Sequence, residues 1–119
     1  MELTYRDLED GIRKIDLVGR LDLEGAERID IQFTALTAAA KTFAIIDLAG
    51  VEFMASIGIA TLVRAARAAR LREGHLVLLN PRANVAQVLT SMKIDQLLPV
   101  CASLEAAREV VRTVPPALG

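Results

Sequence analysis

The sequence predicts an α/β domain built on a mixed, mostly parallel β-sheet that opens with an antiparallel hairpin. Three features predict it. The runs Phe43-Ala44-Ile45-Ile46-Asp47-Leu48 and His75-Leu76-Val77-Leu78-Leu79 are almost wholly apolar, as central strands covered on both faces are. Around them apolar residues recur at steps of three and four, the spacing of a helix face. Near the start, Asp10-Gly11 separates two extended segments, a strong hairpin-turn signal.

Taken in order, Leu3, Tyr5 and Leu8 lead into that turn, and Ile12 to Val18 returns as an alternating strand. Gly19-Arg20-Leu21-Asp22 breaks the alternation, and Asp22 or Glu24 places negative charge where a helix dipole favours it. Ala26, Ile29, Phe33, Leu36 and Ala40 then mark one face of a first helix. After the strand at 43–48, Val51, Phe53 and Met54 carry the chain to Ser56. Ile59, Leu62, Val63 and Ala66 mark a second helix, with Gly74 as its C-terminal cap. The strand at His75 leads to Asn80-Pro81, read as an N-cap followed by proline at the first helical position. Val85, Val88, Leu89 and Met92 stripe the third helix. A fourth begins at Ser103, carries Glu105 in its first turn, and buries Leu104, Ala107, Val110 and Val111.

Composition narrows the function. At 119 residues the chain is most simply one domain. More than half of it is apolar, yet one Tyr and three Phe are its only aromatics, so the core is built from Leu, Ile, Val and Ala. Fourteen basic against fifteen acidic side chains give a net charge of −1, which supplies no global attraction for nucleic acid or an anionic membrane. The single cysteine, Cys101, has no partner for an internal disulfide, in keeping with a reducing cytoplasm. Glu2 and Asp7 near the start do not fit a secretory leader. No uncharged apolar run of about 20 residues exists to span a bilayer.

Catalytic constellations are sparse. A serine-hydrolase elbow needs G-x-S-x-G, but Met54 stands at its first position. His75 is the only histidine, and it heads a strand, which marks it as structural. One Cys and one His do not make a zinc site. Neither phosphate-cradling glycine loop occurs. Asp47, the one acid inside a buried strand, is read as a hydrogen-bonding group for a neighbouring loop. Arg64, Arg67, Arg70 and Arg72 read either as a solvated helix face or as a basic edge for an acidic partner.

Ser56 carries more. At a strand-to-helix junction it reads as an N-cap, worth roughly 1 kcal/mol. An exposed hydroxyl there is also a phospho-acceptor, because an added phosphate meets free backbone N–H groups and the positive end of the helix dipole. It would add about −1.5 to −2 charges and disfavour burial of that surface against a partner. Both readings stand together.

Three segments resemble the STAS family, the anti-sigma factor antagonists and their relatives. They are Gly19-Arg20-Leu21-Asp22, the stretch Ile46-Asp47-Leu48-Ala49-Gly50-Val51-Glu52-Phe53-Met54-Ala55-Ser56-Ile57-Gly58-Ile59, and Gly74 to Pro81 with the helix after it. The resemblance implies a STAS fold with its helices packed mainly on one face of the sheet, a single domain over 1–113 and a flexible tail over 114–119. It implies a protein that is not an enzyme and takes no cofactor or metal. It places phosphorylation at Ser56 and a partner surface at Asp22, Met54, Ala55, Ser56, Ile57 and Gly58, with Gly58 letting the helix start close against the strand. The implied partners are an anti-sigma factor that is also a serine kinase, and a phosphatase that resets the cycle. In this reading the unmodified protein captures the anti-sigma factor and frees a sigma factor. It implies a cytoplasmic monomer or weak dimer with no direct contact to nucleic acid and no membrane insertion. The family's Asp before the serine is Ala55 here, and the hydroxyl residue after it is Ile57. Those two departures keep a second expectation open: a STAS scaffold that never switches, in a signalling assembly or as an accessory subunit of an ABC lipid transporter.

Overall fold

A computed structural model describes residues 1–113; the tail expected over 114–119 lies outside the described residues. Strands β1 (Glu2–Asp7) and β2 (Ile12–Leu21) form the expected antiparallel hairpin. Helix α1 (Leu23–Thr37) leads to β3 (Phe43–Met54), α2 (Ser56–Leu71) to β4 (His75–Leu79), and α3 (Ala83–Ser91) to a short β5 (Val100–Cys101). A single turn of 3-10 helix, Ile94–Gln96, precedes β5, and α4 (Leu104–Arg112) follows it. The sheet runs β1-β2-β3-β4-β5, parallel throughout after the first pair.

Both faces of the sheet are covered, which is why its central strands read as unbroken apolar runs. On one face Ile15, Leu17, Ile46, Leu48, Leu76 and Leu78 pack in one cluster with residues of α1, α2 and α3. Ile29 and Phe33 of α1, Ile59 and Leu62 of α2, and Val85 and Leu89 of α3 are all buried there. On the other face Ile12, Ile45, Val77 and Leu79 pack, among the described residues, against α4 through Ala107 and Val111. Three helices against one is the one-sided arrangement the resemblance implies.

Two strands run further than their apolar segments. β2 continues through Gly19 and Arg20 to Leu21, and β3 continues through Ala49 and Gly50 to Met54. Asp16 pairs with Asp47 but Val18 with Gly50, and Gly19 pairs with Val51 but Arg20 with Phe53. Each step leaves one extra residue on β3, a bulge that resets which side chain faces inward. Leu48, Val51 and Met54 therefore all reach the same core cluster at steps of three instead of two. The bulges carry β3 past its hydrophobic run and deliver Ser56 at the far end.

Several helix ends differ from expectation. Asn80 is not an N-cap: its φ is 51, a left-handed turn, and α3 starts at Ala83 after an Arg82 cap with no side-chain bond. At the end of α2 the left-handed position falls to Glu73 (φ 65), while the Glu73 and Gly74 N–H groups donate to Arg70 O and Ala69 O. Gly74 is needed for space, since a Cβ there would sit 2.3 Å from Thr42 O. Ala40 falls beyond α1, and Met92 is an exposed C-cap of α3. Ser103 does cap α4, accepting from Ala106 N at 3.2 Å.

The polar groups singled out earlier have structural partners. His75 is 1 % exposed, and its Nδ1–H donates to Val111 O at 3.2 Å, tying β4 to α4. Asp47 lies mid-strand, accepting from Ala49 N at 2.9 Å and from Lys14 Nζ at 3.1 Å. Lys14 also bonds Asp16 at 2.6 Å. Asp10, in the hairpin turn, accepts from Arg108 at 2.6 Å and from Arg112, clasping the turn to α4.

Candidate functional site

The site forms where β2 and β3, adjacent and parallel, end together. Leu21 is in register with Met54, and Ala55 N donates to Leu21 O at 3.0 Å. One residue beyond each strand a helix begins, so the starts of α1 and α2 lie side by side at the carboxyl edge of the sheet. That edge is where open α/β sheets present their binding groups.

At the first of these starts Asp22 is the N-cap, its Oδ1 accepting from Gly25 N at 2.9 Å. That backbone hydrogen bond, opposed by desolvation and aided by Arg20 3.5 Å away, holds the carboxyl below its usual value. Asp22 is therefore a carboxylate at neutral pH, which supports the dipole of α1.

The second start is built differently. Ala55, not Ser56, holds the cap position (φ −90, ψ 167), and no side chain caps the helix. Ser56 is the first helical residue and is exposed. The expected capping role is thus corrected. With the cap position one residue earlier, the hydroxyl makes no capping bond, and Ser56 is exposed at the uncapped helix start. Gly58 N and Ile59 N fold back onto Ala55 O at 2.9 and 3.1 Å, and α2 has no acid in its first turn. An added anion here would meet a positive dipole with no neighbouring carboxylate on its own helix.

Gly58 sets the distance between the helix and β2. A Cβ on it would lie 2.5 Å from Leu21 O and 2.6 Å from Leu21 Cγ. Only glycine permits that approach, so the family-derived role given to Gly58 has a direct steric counterpart. Met54 is 5 % exposed and packs in the core beneath the junction. It and Gly58 support the surface from below, whereas Asp22, Ala55, Ser56 and Ile57 lie at it.

Two apolar side chains missed by the sequence reading, Leu23 and Phe53, join Ile57 at the surface. Leu23 is 58 %, Phe53 39 % and Ile57 38 % exposed. The Arg20 guanidinium lies over the Phe53 ring, 4.5 Å from its centroid, and shields one face of it. The available signal was Phe53-Met54: two large apolar residues in succession on a strand cannot face the same side. Leu23 likewise falls off the 26/29/33/36 stripe of α1.

The arrangement lacks the parts of a serine nucleophile. His75 pairs with Phe43 at the opening of β3, the opposite end of the sheet from Ser56, and it is buried. Thr61, another hydroxyl on α2, is 4 % exposed and donates to Ile57 O. Among the described residues no three His, Cys, Asp or Glu side chains converge to hold a metal ion. No helix among them is long and apolar enough to cross a membrane.

Known proteins share this fold. The family model described as STAS domain matches residues 7–107. The chain is 27 % identical over 116 residues to BtrV of Bordetella bronchiseptica, a candidate anti-sigma factor antagonist, covering 98 % of this chain and 99 % of that one. In fold it is similar to an anti-sigma factor antagonist from Mycobacterium paratuberculosis, with a TM-score of 0.82, 20 % identity and 93 % of each chain covered. It is also similar to the Bacillus cell fate determinant SpoIIAA in the phosphorylated form, with a TM-score of 0.69 and 21 % identity over 93 % of this chain and 100 % of that one. The chain belongs to the STAS domain family.

Proposed function

We propose that this protein is a cytoplasmic anti-sigma factor antagonist, a binding protein and not an enzyme, switched by phosphorylation of Ser56. Its unmodified form docks on an anti-sigma factor that is also a serine kinase, and so frees a sigma factor. The observation that carries the reading is Ser56 itself: an exposed hydroxyl at the uncapped start of a 16-residue helix, rimmed by Leu23, Phe53 and Ile57. An apolar rim of that kind suits a protein partner, because its burial is favourable and its exposure alone has no structural use. Phosphate on Ser56 would be stabilised by the helix start while making the same surface costly to bury. The likeness to a protein solved in a phosphorylated form supports the reading.

The experiment is direct. Incubated with its cognate kinase and ATP, the intact protein gains the mass of one phosphate, and Ser56→Ala abolishes the gain. A phosphate mapped to exposed Ser91 instead would overturn the site. Ala55 and Ile57 favour a second reading, a STAS scaffold that does not switch, since both side chains beside the acceptor are apolar. In that case Ser56→Asp leaves partner binding unchanged, whereas switching predicts its loss.

A further inference from the structure

We propose that β1 is a homodimerisation edge, pairing antiparallel with β1 of a second copy in one register, Thr4 opposite Thr4. Two edges end the sheet, and they differ sharply. β5 has two residues, too few to template a partner. β1 has six, with no proline, and pairs with β2 in an uninterrupted register from Glu2↔Val18 to Asp7↔Arg13. Exposed edges are usually blunted by bulges, proline, brevity or charged side chains. Of these β1 carries only charges.

The order of those charges selects the occupant. Glu2 and Arg6 are exposed, and among the described residues neither has an ion-pair partner. Arg6 lies opposite Lys14, a like charge already held by Asp16 and Asp47. Antiparallel self-pairing about Thr4 puts Glu2 opposite Arg6 twice and Leu3 opposite Tyr5 twice. Leu3 and Tyr5 share the face of Leu17 and Ile15, their partners on β2, and Tyr5 is 49 % exposed. Both pair types are favourable across strands. Sliding by one residue instead sets Glu2 against Asp7 and Leu3 against Arg6, so the sequence is self-complementary in a single register. A strand of unrelated sequence has no reason to match it, whereas a second copy must.

Such pairing joins two five-stranded sheets into one of ten strands about a two-fold axis normal to the sheet. The carboxyl edges of the two subunits then point in opposite directions, and both Ser56 surfaces stay open. The proposal rests on the fold alone and stands or falls independently of the function proposed above.

Sedimentation equilibrium of the full chain over a concentration series tests it. Wild type shows a monomer–dimer equilibrium. Arg6→Glu sets a glutamate against Glu2 at both ends of the pairing and weakens association by about tenfold or more. Glu2→Arg does the same by setting arginine against Arg6. Combining the two reversals restores the ion pairs with opposite polarity and returns association to near the wild-type value. Both positions are exposed, and circular dichroism confirms that each variant is folded. A wild type that stays monomeric up to millimolar concentration overturns the proposal. So does a dimer indifferent to single reversal, or a double variant as weak as the single ones.

Discussion

Replacing Gly58 with alanine tests how the junction is built. The new Cβ would stand 2.5 Å from Leu21 O, and 3.0 Å is a separation real Cβ atoms essentially never undercut. Helix and strand must therefore part by about half an ångström, and Leu21 is a poor place to yield. Its carbonyl also accepts from Ala55 N, its side chain is wholly buried, and it immediately precedes the Asp22 cap. Overpacking of this kind costs about 1–3 kcal/mol. Alanine gains up to about 1 kcal/mol in helix propensity over glycine, less so in a first turn. The clash wins, leaving a net loss of about 1–2 kcal/mol, or roughly 4–8 °C in Tm for a domain of this size. Urea unfolding followed by circular dichroism reads it. A second glycine-to-alanine exchange is a poor control here, but Ala60→Gly on the exposed face of α2 is a good one. It should cost only the propensity difference, about 1 kcal/mol. A Gly58→Ala protein as stable as wild type would refute the close approach of α2 to β2.

Three further outcomes follow from particular side chains. Burial lowers the pKa of His75 below 6.5, and a second proton would place an N–H on Nε2, which is buried with no hydrogen-bond partner. The folded state thus prefers neutral imidazole, so the contribution is complete above pH 6.5 and is lost as pH falls below it. Unfolding midpoints from pH 7.5 downwards should drop in wild type, and His75→Gln should flatten that segment because no other histidine exists. Asp22→Ala should lower the urea midpoint through loss of the α1 cap, while Asp22→Asn, which keeps an acceptor, should restore most of it. Phe53→Ala and Ile57→Ala should leave the midpoint almost unchanged but weaken capture of an anti-sigma partner, as measured by calorimetry; unaltered affinity in both would remove the apolar rim from the docking surface.

The alternation of strands and helices was legible because burial on both sheet faces writes itself as continuous apolar runs. Phe43–Leu48 and His75–Leu79 needed no more than that. What escaped notice was written in geometry instead of periodicity. The second half of β3 alternates at steps of three across two bulges, a pattern that looks like neither strand nor helix. β5, with two residues, is too short to carry any period. Asn80-Pro81 carries cap chemistry, yet the chain uses it as a left-handed turn before the helix. At the site, Ser56 and the charge of Asp22 near a helix start were readable from residue type and order, whereas the part of Gly58 came only from the family resemblance. That Met54 lies beneath the surface and Phe53 upon it depended on the bulge between Gly19 and Arg20. At the start of α2 the cap position falls on Ala55, one residue before the serine whose chemistry suggests a cap, and the Ser56 hydroxyl makes no capping bond.

That hydroxyl gives the decisive measurement. The affinity of the purified anti-sigma kinase for this protein should be determined by calorimetry before and after stoichiometric phosphorylation, with Ser56→Ala carried through the same steps. Burying a phosphate against the Leu23, Phe53 and Ile57 surface predicts a loss of roughly 100-fold or more, equivalent to about 3 kcal/mol, in wild type alone. Equal affinities for the two forms, or an equal loss in Ser56→Ala, would contradict a switch at Ser56.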